Sequence, residues 1–185
     1  KWLGQERGLK GHEDLIDAMV TVIEQRSDVV CVIIGGAWGK SEDYYESVKK
    51  YGRDRLGDQV IFLGTRRDVP QLYPDFEMVV HPSHSENLGG AAESLILSIP
   101  TIASNTGGFP DIVIDEKTGL LFETKNTDML AKKIIQILDD PIGAKKMAEN
   151  GHELVIHALD VNQTAKHVFE FYQHVLSEEK NETPR

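Results

Sequence analysis

The segment HPSHSENLGGAAESL, residues 81–95, places two carboxylates and a glycine pair where an apolar strand gives way to a helix. Gly89 and Gly90 allow the backbone to approach a ligand closely. The helix that begins there offers free N–H groups and a positive dipole end, which suit an anion. Glu93, in the predicted first turn, can accept two hydrogen bonds from a diol such as the 2′- and 3′-hydroxyls of a ribose. An acid in a first turn also complements the helix dipole, so both roles remain open for Glu93.

Basic side chains lie in two other stretches that precede or follow predicted elements. Arg7 and Lys10 flank a glycine in RGLKGH, just before a predicted helix. They stand out because the formal net charge of the chain is −10, and both types bind phosphate oxygens well. Arg66, in GTRRD after the strand-like run VIFL, can stack on a base. A solvated surface for the first pair and an ordinary charged turn for Arg66 are the alternatives.

A second glycine-rich stretch, GGAWGKS, does not complete a phosphate-binding loop. Gly39, Lys40 and Ser41 match the end of that motif. Its first glycine would have to stand at position 34, which is Ile34, and Gly35 leaves the loop one residue short. We therefore expect a turn in which Ser41 caps the next helix. The seven histidines show no spacing typical of a metal site, and no metal or other cofactor is expected.

The composition indicates a soluble globular domain. The chain has 185 residues, with 30 acids against 20 lysines and arginines, which argues against broad nucleic-acid binding. No apolar run approaches the length of a membrane span, and we find no signal peptide. The single Cys31 lies in VVCVII, where it is expected to be core. A cytoplasmic location fits these features. The opening KWLGQERGLKGHE resembles the interior of a longer protein, and that longer protein could be peripheral to a membrane.

Short apolar runs alternate with amphipathic segments along the chain. This order predicts a Rossmann-like α/β fold, with one parallel sheet covered by helices on both faces. Strands are expected near 29–34, 60–63, 77–81, 101–104 and 119–122, and helices near 12–25, 41–56, 89–98, 126–140, 141–157 and 160–178. Residues 1–178 form the predicted nucleotide-sugar-binding domain, and 179–185 a disordered tail. Such a sheet normally begins with a strand, and none precedes Lys1, so we regard the first strand as missing from the sequence.

Four segments, taken in order, resemble a known family. They are LKGHEDLIDAM, VIFLGTRRDVPQLY, HPSHSENLGGAAESLILSIPTIASNTGGFPDIV and KTGLLFETKNTDMLAKKIIQIL. They are similar to the C-terminal half of the retaining GT-B glycosyltransferases of family 4, often called glycosyl transferases group 1. Ordered matches from residue 9 to residue 138 are far more specific than any one motif.

The resemblance implies roles for the two acids. In that family the C-terminal domain binds a nucleotide-sugar, and the second acid of a two-glutamate motif, matched by Glu93, holds the ribose. The first acid lies near the donor sugar. The family usually leaves seven residues between the acids, whereas Glu86 and Glu93 are separated by six. Counting back without a gap puts Ser85 in the first position, and a one-residue loop deletion would restore Glu86.

The same resemblance extends to the basic residues and the loop. The family's phosphate-binding cations imply catalytic roles for Lys10 and Arg7, alongside Glu86. The donor-binding residues that it implies are Glu93, Gly89, Gly90, Asn87, Leu88 and Arg66.

The reaction implied is transfer of a hexose from a nucleotide-sugar to an acceptor, with retention of anomeric configuration. Basic residues and a helix dipole would stabilise the departing diphosphate without a metal. In this family an N-terminal domain supplies the acceptor site, so the chain alone is expected to bind donor and to be inactive. The apolar side of the last helix would face that domain or form a dimer contact.

Two other classes remain open. A GT-B sugar-nucleotide 2-epimerase would share the fold and the donor but not the reaction, and an intact N-terminal sequence would distinguish it. A non-catalytic α/β module of the receiver type would need acids at early strand ends. VIIGGAWG offers none there.

Overall fold

The computed structural model describes residues 8–37 and 39–181, so the predicted site residue Arg7 lies outside the described residues. Helices and strands alternate along this part of the chain in the order expected from the sequence. The strands are β1 (Cys31–Ile34), β2 (Val60–Gly64), β3 (Val79–His81), β4 (Thr101–Ser104) and β5 (Leu120–Phe122). The helices are α1 (His12–Gln25), α2 (Glu42–Leu56), α3 (Val69–Leu72), α4 (Gly89–Ile96), α5 (Phe109–Ile112), α6 (Thr127–Asp139), α7 (Pro141–Ala158) and α8 (Val161–Asn181).

The described strands form two parallel sheets. β1 pairs with β2, with Cys31 opposite Val60. The second sheet has the order β3–β4–β5, with Val79 opposite Thr101 and Ile102 opposite Leu120. The predicted parallel pairing and Rossmann-like arrangement are confirmed. The prediction of one continuous sheet is wrong, because a cavity of about 850 Å³ lies between β1 and β3 and backbone hydrogen bonds cannot reach across it.

The helices bury the faces that their sequence periodicity predicts. On α1, Ile16, Met19 and Val22 recur at intervals of three residues and are at most 5% exposed. They pack in one core cluster with α6, whose buried positions include Leu130 and Ile134. β4 is buried at all four positions because strands flank it on both sides and helices cover it. The centre of the fold therefore matches its apolar sequence pattern.

Side-chain caps lie at the starts of α6 and α7. Asn126 precedes the first residue of α6, and its side chain accepts a hydrogen bond from the Met129 N–H at 2.9 Å. Asp140 separates the two helices and accepts from the Gly143 N–H at 2.9 Å. Pro141 then occupies the first position of α7, where its missing N–H carries no penalty.

The last helix leaves its apolar side uncovered within the described structure. α8 extends to Asn181, three residues into the segment predicted to be a disordered tail, and residues 182–185 lie outside the described part. The exposed large side chains of this helix are Val161, Val168, Phe169, Phe171, Tyr172 and Leu176. In the described part of the chain, none of the helices combines the length and apolar character needed to cross a bilayer.

Close packing of α7 on α4 predicts a specific sensitivity at Gly151. A Cβ at this position would lie 2.5 Å from the Leu95 Cδ2 and 2.8 Å from the Thr118 backbone oxygen. We expect Gly151→Ala to lower the free energy of unfolding by about 1–3 kcal/mol, the usual cost of overpacking. Urea denaturation would measure this change. Glu149→Ala, at an exposed position of the same helix, is the control, and equal stabilities of the two variants would contradict the packing argument.

Candidate functional site

Three loops meet where β3 and β4 end. The loop before α1 contacts the loop after β3, because the His84 N–H donates to the Leu9 carbonyl at 2.7 Å. The loop after β4 joins them through the Gly108 N–H, which donates to the Glu86 carbonyl at 3.3 Å. The Thr106 hydroxyl also donates to the His84 carbonyl at 3.4 Å. These backbone contacts assemble one surface from segments that are distant in sequence.

Two glycines make this convergence possible. Gly11 has a φ of +66°, and a Cβ there would lie 1.9 Å from the Pro82 carbonyl oxygen. Gly107 has a φ of +55°, and its Cβ would lie 1.8 Å from the Glu86 carbonyl oxygen. Neither the backbone conformation nor the available space admits a side chain. The loop after β3 is therefore held on both sides by glycine contacts.

A buried pair joins α1 to the loop after β3. The His84 Nε2 and an Asp14 carboxylate oxygen are in contact, and their side chains are only 4% and 2% exposed. Buried ionisable groups are normally paired in this way, since an unpaired one would be costly. The sequence did not predict either residue as part of the site. An acid near the start of a helix is common, and the two residues are 70 positions apart in the chain.

Lys10 and Glu86 form the charged centre of this surface. Their side chains make an ion pair, with Lys10 60% exposed and Glu86 17% exposed. The Asn87 N–H donates to the Glu86 carboxylate at 3.1 Å, and the Ser83 hydroxyl donates at 3.4 Å. Of the two candidates for the first acid, Glu86 thus faces the cation, whereas Ser85 is exposed. The carboxylate, held by these contacts, pairs with the exposed ammonium group where the three loops meet.

The start of α4 lies beside this pair. The Asn87 side chain accepts from the Gly89 N–H at 3.1 Å and so caps the helix start. Leu88 packs against the apolar cluster beneath α5, so its side chain has a structural role. A Cβ on Gly90 would come within 3.1 Å of the His81 ring. Gly90 thus lets the start of α4 lie directly against His81 at the end of β3.

Glu93 does not lie in the first turn of α4, as the sequence had suggested. The glycine pair is itself part of the first turn. The helix therefore begins at Gly89, and Glu93 is its fifth residue. It is exposed. The pKa of Tyr73 is raised mainly by burial and also by the negative charge of Glu93, which places the two groups near each other. Because dipole effects fade beyond the first turn, the alternative in which Glu93 only complements the dipole is weakened.

Arg66 follows β2, on the other sheet. Its guanidinium binds Asp68 through two contacts, one of them 2.8 Å between Nε and Oδ1. This interaction raises the pKa of Arg66 and lowers that of Asp68. The described structure therefore groups Lys10, Glu86 and the start of α4, but it does not bring Arg66 to the Lys10–Glu86 pair.

His81 lies beneath the site as a neutral group that sequence reasoning passed over. Its Nε2 is 3.2 Å from the Ser94 hydroxyl, and its ring centroid is 5.7 Å from that of Phe109. Burial lowers the pKa of His81 to about 4, while the charge of Glu86 raises it and that of Lys10 lowers it. A histidine at a strand end, next to a proline, was the only sequence signal for this position.

Comparisons with known proteins agree with this architecture. The family model "Glycosyl transferases group 1" matches residues 3–154, and the chain belongs to that family. The D-inositol 3-phosphate glycosyltransferase of Corynebacterium diphtheriae is 28% identical over 89% of this chain and 39% of its own length. The chain spans half or less of the length of the curated relatives that it matches.

Two solved structures have the same fold. One is Anabaena HepE (Alr3699) in complex with UDP, with 26% identity and a TM-score of 0.81 over 93% of this chain and 47% of that chain. The other is the C-terminal domain of LpcC, a glycosyl transferase group 1 family protein from Francisella tularensis. It shows 28% identity and a TM-score of 0.73, covering 83% of this chain and 80% of that chain.

The burial of His81 predicts a pH dependence of stability. Unfolded, its imidazole takes up a proton near the ordinary pKa of 6.5, whereas the folded one does so only near 4. The stabilisation is therefore complete above pH 6.5 and is lost as the pH falls towards 4. His81→Gln cannot titrate, so its stability should fall less steeply over this range, by up to about 1.4 kcal/mol per pH unit. Urea denaturation between pH 4 and 8 would measure both curves, and parallel curves would contradict the assignment.

Proposed function

We propose that this chain is the donor-binding half of a retaining hexosyltransferase, and that the diphosphate of a nucleotide-sugar lies between Lys10 and the start of α4. The observation that carries the proposal is the Lys10–Glu86 pair, held where three loops converge beside that helix start. Lys10 is largely exposed, so its ammonium group can bind phosphate oxygens. The N–H groups and the dipole of the first turn of α4 favour the same negative charge.

Glu86 can serve two purposes in this arrangement. Without donor, it orients Lys10 and prevents the ammonium group from taking up other positions. With donor bound, Lys10 would turn to the diphosphate, and the carboxylate would accept hydrogen bonds from hydroxyls of the sugar. The Asn87 N–H and the Ser83 hydroxyl already fix the carboxylate, which limits the cost of holding it in place for the sugar.

Glu93 would hold the ribose from the second turn of α4. It is exposed, and its carboxylate can accept from both ribose hydroxyls. In this arrangement the ribose would lie further along α4 than the diphosphate. That order matches the order of the groups in a nucleotide-sugar. Arg66, which follows β2 on the other sheet, remains a proposed contact for the base. To reach the base, its guanidinium would have to leave Asp68.

Membership of the family and the ligands of its structural neighbours support a nucleotide-sugar donor. Anabaena HepE has been solved with UDP and with UDP-glucose, at 26% and 25% identity to this chain. We propose a metal-independent reaction in which Lys10, Arg7 and the α4 dipole stabilise the departing diphosphate. Retention of configuration is part of the proposal and follows from the family resemblance. The setting would be glycan biosynthesis on the cytoplasmic side of a membrane.

The acceptor would bind to an N-terminal domain in a longer chain. α8 presents exposed apolar side chains such as Phe169 and Tyr172, which soluble proteins normally cover. We propose that this face contacts the N-terminal domain. In the absence of that domain it could pair with a second copy, which sedimentation at several concentrations would reveal.

Substitution of Glu93 tests the donor site. Glu93→Ala should weaken binding of the preferred nucleotide-sugar by about 1–3 kcal/mol, because hydrogen bonds to a charged group are lost. The melting temperature should barely change, since the side chain is exposed. Calorimetric titration with UDP-, GDP- and ADP-sugars would identify the donor and measure the loss. Glu149→Ala, an exposed acid on α7, should bind normally, and a large loss of stability with unchanged affinity would refute the ribose role of Glu93.

Activity of the chain alone is a separate test. We expect weak donor binding that decreases as salt rises, because Lys10 acts in a solvated site where charges are screened within about 8–10 Å. We expect no hexosyl transfer by this chain and transfer with retention by the full-length protein, as judged by NMR of the product's anomeric proton. Transfer by the chain alone would refute the fragment interpretation, and inversion by the full-length protein would refute the retaining mechanism.

A further inference from the structure

Lys10 lies at the corner of a tight turn in the loop before α1. The Gly11 N–H donates to the Gly8 carbonyl at 3.0 Å. This bond closes a β-turn in which Leu9 and Lys10 are the two central residues. One anchor of the turn is the Leu9 carbonyl, which accepts from the His84 N–H at 2.7 Å. The position of the Lys10 side chain therefore depends on how firmly the rest of this turn is held.

Glu13, in the first turn of α1, holds the opposite end of that β-turn. Its Oε1 accepts a hydrogen bond from the Gly8 N–H at 3.4 Å. Its Oε2 accepts from the Tyr44 hydroxyl at 2.8 Å. Gly8 is buried, and a buried backbone N–H needs a hydrogen-bond partner. One carboxylate thus connects the turn that carries Lys10 to a side chain of α2.

The phenol of Tyr44 also packs directly on the turn. A Cβ on Gly8 would lie 1.9 Å from the Tyr44 hydroxyl oxygen, so a side chain there would displace the phenol. Burial raises the pKa of Tyr44, and its hydrogen bond to Glu13 raises this pKa further. The phenol therefore stays protonated at neutral pH and acts as the donor to the carboxylate.

Tyr44 comes from a helix that packs on the other sheet. α2 contacts β2, and a Cβ on Gly52 of this helix would lie 2.9 Å from the Phe62 ring of that strand. The Lys10–Glu86 pair, in contrast, lies where β3 and β4 end. Within the described structure no strand pairing joins the two sheets. Side-chain contacts such as that of Tyr44 therefore set the position of the Lys10 turn relative to the β1–β2 sheet.

A second tyrosine of α2 makes the same kind of contact further from the turn. The Tyr51 hydroxyl donates to the Asp17 carboxylate at 2.6 Å. This contact lies two helical turns further along α2 than Tyr44 and one turn further along α1 than Glu13. Asp17 also pairs with Arg55 at 3.0 Å. Both tyrosines are half-buried and join the same two helices, so Tyr51 is a matched control for Tyr44.

We propose that Tyr44, acting through Glu13, is a positioning residue of the donor site, because it fixes the turn that presents Lys10 to the diphosphate. For its ligand the inference rests on the proposed function, whereas its structural part can be measured without any nucleotide. Without the phenolic hydroxyl, Glu13 loses the donor that orients its carboxylate, and the turn gains conformational freedom. Ordering Lys10 on binding then costs entropy, which lowers the affinity for a diphosphate.

The first experiment measures hydrogen exchange of the Gly11 amide, which closes the turn, in the full-length protein without nucleotide. In Tyr44→Phe this amide should exchange about two- to tenfold faster than in the native protein, as expected for the loss of one hydrogen bond. Tyr51→Phe removes the matched hydroxyl and should leave the exchange of the Gly11 amide unchanged. Equal exchange of this amide in the two variants would overturn the proposal.

The second experiment measures binding of UDP, GDP and ADP to the full-length protein by calorimetric titration, and the tightest of the three is used for the variants. Tyr44→Phe should bind this diphosphate about two- to tenfold more weakly, and Tyr51→Phe should bind it normally. In a Lys10→Ala background, Tyr44→Phe should cause no further loss, because Tyr44 acts through Lys10. The same loss in both backgrounds would overturn the proposal.

Variants of Glu13 test whether hydrogen bonding carries the effect. Glu13→Gln can still accept from the Gly8 N–H and can donate to the Tyr44 oxygen, so exchange and affinity should stay close to native. Glu13→Ala should show at least the losses of Tyr44→Phe, and equal results for the two Glu13 variants would overturn the proposal. If Lys10→Ala binds the diphosphate as tightly as the native protein, the proposed function is wrong. If Lys10→Ala weakens binding and Tyr44→Phe does not, only the inference is wrong.

Discussion

Attachment of α1 to the end of β3 is the contact on which the candidate site depends. Gly11 packs against Pro82 at a distance that no side chain would permit, and the buried Asp14–His84 pair fixes the first turn of the helix. Without this attachment Lys10 would have no defined position relative to Glu86. Since both side chains are almost fully enclosed, loss of either would remove a buried polar contact, which is costly. Structural and functional demands therefore coincide at this junction.

The charge distribution explains how an acidic chain could hold the proposed diphosphate site. The formal net charge is −10, so the global field opposes binding of a diphosphate. Locally, Lys10 is largely exposed while its partner Glu86 is mostly covered, and the start of α4 adds a positive dipole end. Burial keeps His81 neutral, because its pKa is lowered to about 4. The site thus depends on short-range interactions, which dominate over distant charges that solvent screens.

Two apolar features are left without packing partners within the described structure. A cavity lies between β1 and β3, and α8 presents a row of exposed apolar side chains. The family relatives are at least twice as long as the matched part, and the C-terminal domain of LpcC shows that a unit of similar extent has this fold. The core is nevertheless well packed, with residues such as Ile16, Leu95 and Leu130 fully buried, and its larger cluster includes residues of both sheets. The helices therefore pack closely on the strands, whereas the space between β1 and β3 is not filled.

The sequence by itself determined the elements whose signals are local. Apolar spacing placed α1 at its observed bounds and β4 at Thr101–Ser104. It also pointed to Lys10, Glu86 and the glycine pair. Only the tertiary structure decided that Asp14 contacts His84 and that Gly107 packs against Glu86. It also decided that Glu93 lies in the second turn of α4 and that the strands form two sheets. Those features depend on contacts between segments far apart in the chain, and local periodicity carries no information about such contacts.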